Sequence, residues 1–257
     1  MARFDKLEFG EKAKGQTPDL AKDLSTEGER DWLESADAQR RNGLFENALR
    51  FYSRALEDDK TPVTGWLGQV QMLVQLGEWP EAELWARKAL ELFPGHGDLT
   101  AGRAQALCRK GDPSQALTVC DGALKQSGTS AYRWLVRGEI MVATKQPTDR
   151  HCFEKAKLLD SDWLVALETA LIYLHYRQPS KALDGARRAV EKASERYYAW
   201  YVQGLCQSQA GLDQPARQSF QRCLELCPRH VEAERQLLKL DARSWSLARL
   251  LRRLRGR

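Results

Sequence analysis

The chain has 257 residues, 42% of them hydrophobic and 29% charged, and a formal net charge of +5. That balance describes a chain able to bury a core and excludes an intrinsically disordered one. The excess charge is local: residues 243–257 hold six Arg and no acid, residues 1–28 hold five basic and six acidic residues, and 29–242 hold 29 of each.

Residues 1–28 are polar, mixed in charge and without an apolar run of signal-peptide length, so they read as a flexible leader. Phe4, Leu7 and Phe9 leave a short docking motif open as the alternative. From residue 29 the chain repeats itself. Trp32, Trp66, Trp134 and Trp200 are separated by 34, 68 and 66 residues, and Gly43, Gly77 and Gly111 by 34. Ala55, Ala89, Ala123, Ala156, Ala189 and Cys223 follow at steps of 34, 34, 33, 33 and 34. Several series in one register define an array of equivalent units, at 29–62, 63–96, 97–130, 131–162, 163–196 and 197–230.

Each unit reads as two helices around a tight turn. In the second, TGWLGQVQMLVQL is the first helix, Gly77 supplies the positive φ that ends it, and Pro80 opens EAELWARKALEL, which Pro94 stops. The fourth unit is short, since Gly111 to Lys145 is 34 residues but Lys145 to Arg177 is 32. Its second helix, about 148–159, is therefore predicted to be short or tilted. Residues 231–241 read as a helix that caps the last unit's open face. Residues 242–257 form a basic amphipathic tail, with Leu247, Leu250, Leu251 and Leu254 on one side and Arg243, Arg249, Arg252, Arg253, Arg255 and Arg257 around it.

With Trp200, Gly204, Gly211, Ala216, Phe220, Leu224 and Pro228 in the sixth unit, and Trp32, Ala36, Gly43, Ala48, Tyr52 and Ala55 in the first, the chain resembles the tetratricopeptide repeat family. The resemblance spans about 200 residues; Thr100 and Ala166 replace the tryptophan in the third and fifth units. It implies an all-α fold, a right-handed solenoid of antiparallel helix pairs whose first helices line a concave groove, and a protein–protein interaction scaffold or adaptor that acts without catalysis. Chaperone-binding relatives hold a C-terminal carboxylate with basic and amide residues in that groove. Leu33, Asp37, Gly68 and Gly102 stand in those slots here, which disfavours that partner.

The inward faces differ along the array. The early units present polar residues, among them Asp37, Arg40, Arg41, Gln71, Gln75, Gln105 and Arg109. The late units present Glu139 and, beside it, nine apolar or aromatic residues: Tyr132 and Leu135, then Leu164, Leu167, Leu171 and Leu174, then Tyr198, Tyr201 and Leu205. These nine are the candidate groove for a partner's helix or extended peptide, as a subunit of a larger complex. The alternative stays open: helix 163–176 also carries Ala166, Ala170 and Tyr173 and is apolar nearly all round, as a buried helix is.

No catalytic motif is found, so no catalytic, cofactor or metal residue is assigned. Gly10-x4-Gly15-Gln16-Thr17 lacks the lysine of a phosphate loop. Cys223, Cys227 and His230 lie close but without an evident fourth ligand. The six cysteines contain no C-x-x-C pair and read as reduced thiols of a cytoplasmic protein. A second functional reading rests on the tail: recruitment to an anionic partner, whether nucleic acid, acidic protein or membrane surface.

Overall fold

A computed structural model describes residues 31–242. Twelve helices pair into six hairpins, numbered here as units 1 to 6. They are α1 (Trp32–Arg41) with α2 (Phe45–Asp58), α3 (Val63–Leu76) with α4 (Trp79–Leu92), and α5 (Gly97–Lys110) with α6 (Pro113–Lys125). Then come α7 (Ala131–Ala143) with α8 (Asp149–Leu159), α9 (Trp163–His175) with α10 (Pro179–Lys192), and α11 (Tyr197–Gln209) with α12 (Asp213–Leu226). A thirteenth helix, α13, runs over residues 231–242. No strand occurs among the described residues, so the protein is an all-α solenoid.

Local chemistry explains where the helices start and stop. Asp31, Asp112, Ser130 and Asp162 accept backbone N–H bonds at the starts of α1, α6, α7 and α9. The turns of units 1, 2, 3 and 6 place Gly43, Gly77, Gly111 and Gly211 at positive φ. In units 4 and 5 the same conformation is held by Lys145 at φ 56° and Arg177 at φ 55°. Small residues allow the helices to approach: Ala48, Ala82, Ala116, Ala182 and Ala216 are all fully buried. The indoles of Trp66 and Trp200 donate to the carbonyls of Lys60 and Ser194, six residues back in each unit. As the shortened register predicts, α8 is brief, at 11 residues against 14 in α10. A cleft of about 550 Å³ opens beside it, between α8, α9 and α10.

Several polar side chains enter the core, and one of them has its whole amide unmatched. Gln69 on α3 is 1% exposed, and neither atom of its amide meets a hydrogen-bond partner. A desolvated and unpaired amide costs free energy. Gln69→Leu is therefore expected to raise the unfolding free energy by about 1–2 kcal/mol, read as a higher denaturation midpoint at unchanged slope. A loss of stability would show that the amide is satisfied.

At the C-terminal end, α13 lays Ala233, Leu237 and Leu240 against Phe220 and Cys223 of α12. The Nδ1 of His230 accepts the Ala233 N–H at 3.1 Å and caps the start of α13. Burial pushes this imidazole below its ordinary value, so the folded state holds it neutral. The sign follows: the cap's stability is complete above the unfolded value of about 6.5 and is lost as pH falls through the lower folded value. Protection factors of residues 231–242, with intrinsic exchange divided out, are expected to fall as pH is lowered below about 6.5. In His230→Asn, which keeps an acceptor without titrating, that step should vanish.

Candidate functional site: the closed inner face

The first helices of the six units turn one side toward the superhelix axis, and the structure brings those sides together across it. Arg40, near the end of α1, forms an ion pair with Glu168 in the middle of α9, 128 residues away in sequence. Arg41 grips Asp162, the N-cap of α9, through two hydrogen bonds of 3.2 and 2.8 Å, and its guanidinium lies over the Trp163 ring. The turn that follows meets unit 6. Tyr197 Oη donates to the Asn42 carbonyl at 3.0 Å, and Phe45 sets its ring edge-on to Tyr198, with centroids 6.0 Å apart. From unit 2, Trp79 meets His175 at the end of α9 in the same edge-on manner. Unit 1 thus closes the superhelix onto units 5 and 6.

The inner polar residues are paired within this closure. Glu139 on α7 is completely buried and accepts from Arg109 and from Gln105, the latter at 2.7 Å. Tyr132 Oη donates to Gln105 at 2.7 Å, and the Tyr176 hydroxyl lies 3.4 Å from both Glu139 and the Cys108 thiol. Asp37 accepts from Tyr52. Burial alone would lower the Arg40 value, but the charge and hydrogen bond of Glu168, with Tyr52 and Asp37, together outweigh it, so the guanidinium stays firmly protonated. Burial also raises the Asp162 carboxyl; the Arg41 hydrogen bonds, the Leu164 N–H and the Arg41 and Lys192 charges more than offset it and hold it below the usual carboxylate range.

Six of the nine groove residues singled out in the sequence meet on this face, and none of the nine is exposed. Leu135, Leu167 and Tyr198 are buried, at 3%, 0% and 7% exposure. The other six are half-buried. Tyr132, Leu135, Leu164, Leu167, Leu171 and Tyr198 line one small void, walled on the far side by Arg40, Phe45, Gln71, Met72, Gln75 and Gln105. Its volume of about 20 Å³ holds roughly one water. A polar pocket of about 290 Å³ adjoins it, floored by Tyr132 and Leu164 and rimmed by Asp37, Arg41, Asp160 and Asp162. Leu174 packs on the unit 5 core, while Tyr201 and Leu205 lie against the cluster under α13. The face that bears the leucine stripe is therefore covered in part by unit 1, whose Arg40 and Phe45 lie across the void from Leu164, Leu167 and Leu171.

Sequence reading did not single out Glu168, Asp162 and Phe45. The signal for Glu168 was present: it is the one acid in an otherwise apolar helix, WLVALETALIYLH. The tail arginines Arg243, Arg249, Arg252, Arg253, Arg255 and Arg257 lie outside the described residues. Among the described residues no group of His, Cys, Asp and Glu is arranged to hold a metal ion, and no helix is long and apolar enough to cross a membrane. His230, weighed above as a ligand, spends its Nδ1 on the α13 cap. Burial pushes the thiols of Cys108, Cys120, Cys206 and Cys223 up to about 12, which removes them as nucleophiles near neutral pH.

Paired antiparallel helices, their turn residues and a shared inner face define the class as a helical-repeat solenoid of the kind used for protein–protein interaction. Residues 33–97 match the tetratricopeptide repeat family. No curated protein matches the sequence. Among solved structures, the chain is similar to a tetratricopeptide repeat protein of Parabacteroides merdae, at 17% identity and a TM-score of 0.52, covering 81% of this chain and 82% of that one. It is also similar to a thermophilic one of Thermus thermophilus, at 19% and 0.53, covering 71% and 99%. A chain of the APC/C hetero-tetramer Cut9–Hcn1 matches at 15% and 0.52, covering 81% of this chain and 42% of that one. Residues 33–97 thus carry the tetratricopeptide repeat, and the described chain shares its fold with these structures.

Proposed function

We propose that the protein is a non-enzymatic scaffold that takes a helix or an extended segment of a protein partner against the inner face of units 4 to 6, as part of a larger assembly. The observation that carries this reading is the convergence of Tyr132, Leu135, Leu164, Leu167, Leu171 and Tyr198 on one void, whose other wall comes from units 1 to 3 and includes Arg40 and Phe45 of unit 1. An apolar face of this kind, interrupted by one acid, suits a segment that carries both leucine-like and basic side chains. Cut9–Hcn1, a hetero-tetramer containing a chain of this fold, is an instance of such a solenoid assembled with a second protein. Buried, unreactive thiols fit a reducing compartment such as the cytoplasm.

The test is affinity capture with the full chain, with Leu171→Glu and Tyr201→Glu, and with a chain ending at Leu240. Helical circular dichroism should be retained in each. A partner held by the first and last but lost by either glutamate variant supports the reading. Retention by both glutamate variants would place recognition elsewhere on the solenoid, and loss with the shortened chain would assign it to the tail.

A further inference from the structure

The residues that close the ring form a compact recognition unit. Two adjacent guanidinium groups, Arg40 and Arg41, meet Glu168 and Asp162; four residues beyond Arg41, the Phe45 ring meets Tyr198. This junction differs from the stacking of successive units, which buries alanines and large apolar side chains against one another. Here two ion pairs, one hydrogen bond and one aromatic edge do the joining and leave a void behind. Seen from units 4 to 6, the corner of unit 1 is an occupant.

Glu168 limits what any other occupant can be. Its side chain is 17% exposed, on an inner wall otherwise built of Leu164, Leu167 and Leu171. A carboxylate in such surroundings is tolerated when a cation meets it and is costly when none does. A segment that displaces Arg40 must therefore bring its own positive group, and one that displaces Phe45 must fill the place beside Tyr198. We propose that the inner face of units 4 to 6 recognises a protein segment presenting two adjacent arginines followed closely by an aromatic side chain. The chain's own Arg40-Arg41-Asn42-Gly43-Leu44-Phe45 occupies that site as an intramolecular competitor. This rests on the inner face being the binding surface, and adds to it the chemistry of the ligand and the device that covers it.

The probe is a labelled peptide of residues 36–48 titrated by fluorescence anisotropy into full-length protein. With Arg40→Ala/Arg41→Ala, whose own segment is weakened, saturable binding is expected. Wild-type chain should bind at least about tenfold more weakly, because its tethered segment competes at millimolar effective concentration. Adding Glu168→Gln to the double variant should cost about tenfold or more, since the charge partner is gone. No saturable binding, equal binding to wild type and double variant, or indifference to Glu168→Gln would each overturn the proposal. So would tighter binding of a peptide of residues 245–257, which would make the chain's tail the occupant. A second measurement needs no variant: hydrogen exchange of wild-type residues 39–46 should quicken severalfold between about 0.05 M and about 0.5 M salt while α5 to α8 stay unchanged. Salt-independent exchange there would count equally against it. If the peptide fails while a Leu171-dependent protein partner is still captured, the ligand chemistry alone is wrong. If no such partner exists, the reading beneath it falls.

Discussion

Arg133→Ala is expected to lower the unfolding free energy by about 3–5 kcal/mol and to unfasten the junction between units 3 and 4. Arg133 lies on α7 at 6% exposure. Its Nη1 donates to the carbonyls of Ala123, Gln126 and Gly128, at 3.2, 3.2 and 2.7 Å, and its Nη2 to that of Ser127 at 3.1 Å. Its Nε meets Asp98 at 2.7 Å. These carbonyls include the C-terminal ones that α6 leaves without helical partners, so one side chain caps α6, shapes the following loop and ties both to α5. Truncation strands several acceptors together and removes the cation facing Asp98; because Asp98 is itself 21% exposed and keeps the Ser130 hydroxyl at 2.7 Å, the lower end of the range applies. Lysine cannot reproduce the planar fork, so Arg133→Lys should recover less than half of the loss. Denaturant titration of both variants gives the comparison, and hydrogen exchange locates it. Exchange should quicken in α5 to α7 before α9 to α12, since solenoid stability is nearest-neighbour in origin. A change under about 1 kcal/mol would mean that water replaces the guanidinium at little cost.

The second large effect isolates the ring closure. Gly43, Gly77 and Gly111 occupy the same turn at φ of 72°, 84° and 99°. Alanine there meets the left-handed penalty of about 1–2 kcal/mol at all three. A Cβ added at Gly77 or Gly111 would find no atom within 4 Å, whereas one at Gly43 would overlap the Tyr198 ring. Tyr198 is buried on α11 and has little room to retreat, so Gly43→Ala is expected to cost about 1–3 kcal/mol more than the other two, the range for overpacking. Lost protection should be confined to residues 39–46 and α11. Equal costs for the three alanines would show that unit 1 and unit 6 are not held in contact in solution. Acid should act on the neighbouring contact, between unit 1 and unit 5. The Asp162 carboxyl is held below its usual range, so its contribution is complete above about pH 4 and is lost as pH falls through the lower folded value.

The helical register was legible because its causes are local. Gly77 and Gly111 end helices wherever they stand, Pro80 and Pro113 start them, and Ala82, Ala116 and Ala216 mark close helix contacts from their spacing alone. The short α8 was legible too, since two missing residues between Lys145 and Arg177 must be taken from a helix. Leu164, Leu167 and Leu171 could be assigned to one inward face from their spacing of three and four. Their environment could not, because it depends on what lies across the superhelix axis.

The sequence by itself determined that this is a helical-repeat protein and which residues share a face of each helix; that the first helices face inward came from the resemblance. Only the tertiary structure decided that this inner face is closed. Closure joins Arg40 to Glu168 across 128 residues, and that distance is set by rotations accumulated over four unit junctions, one of them altered by the short α8. Each rotation is small and no single residue encodes it, so the meeting of unit 1 with units 5 and 6 is a property of their sum.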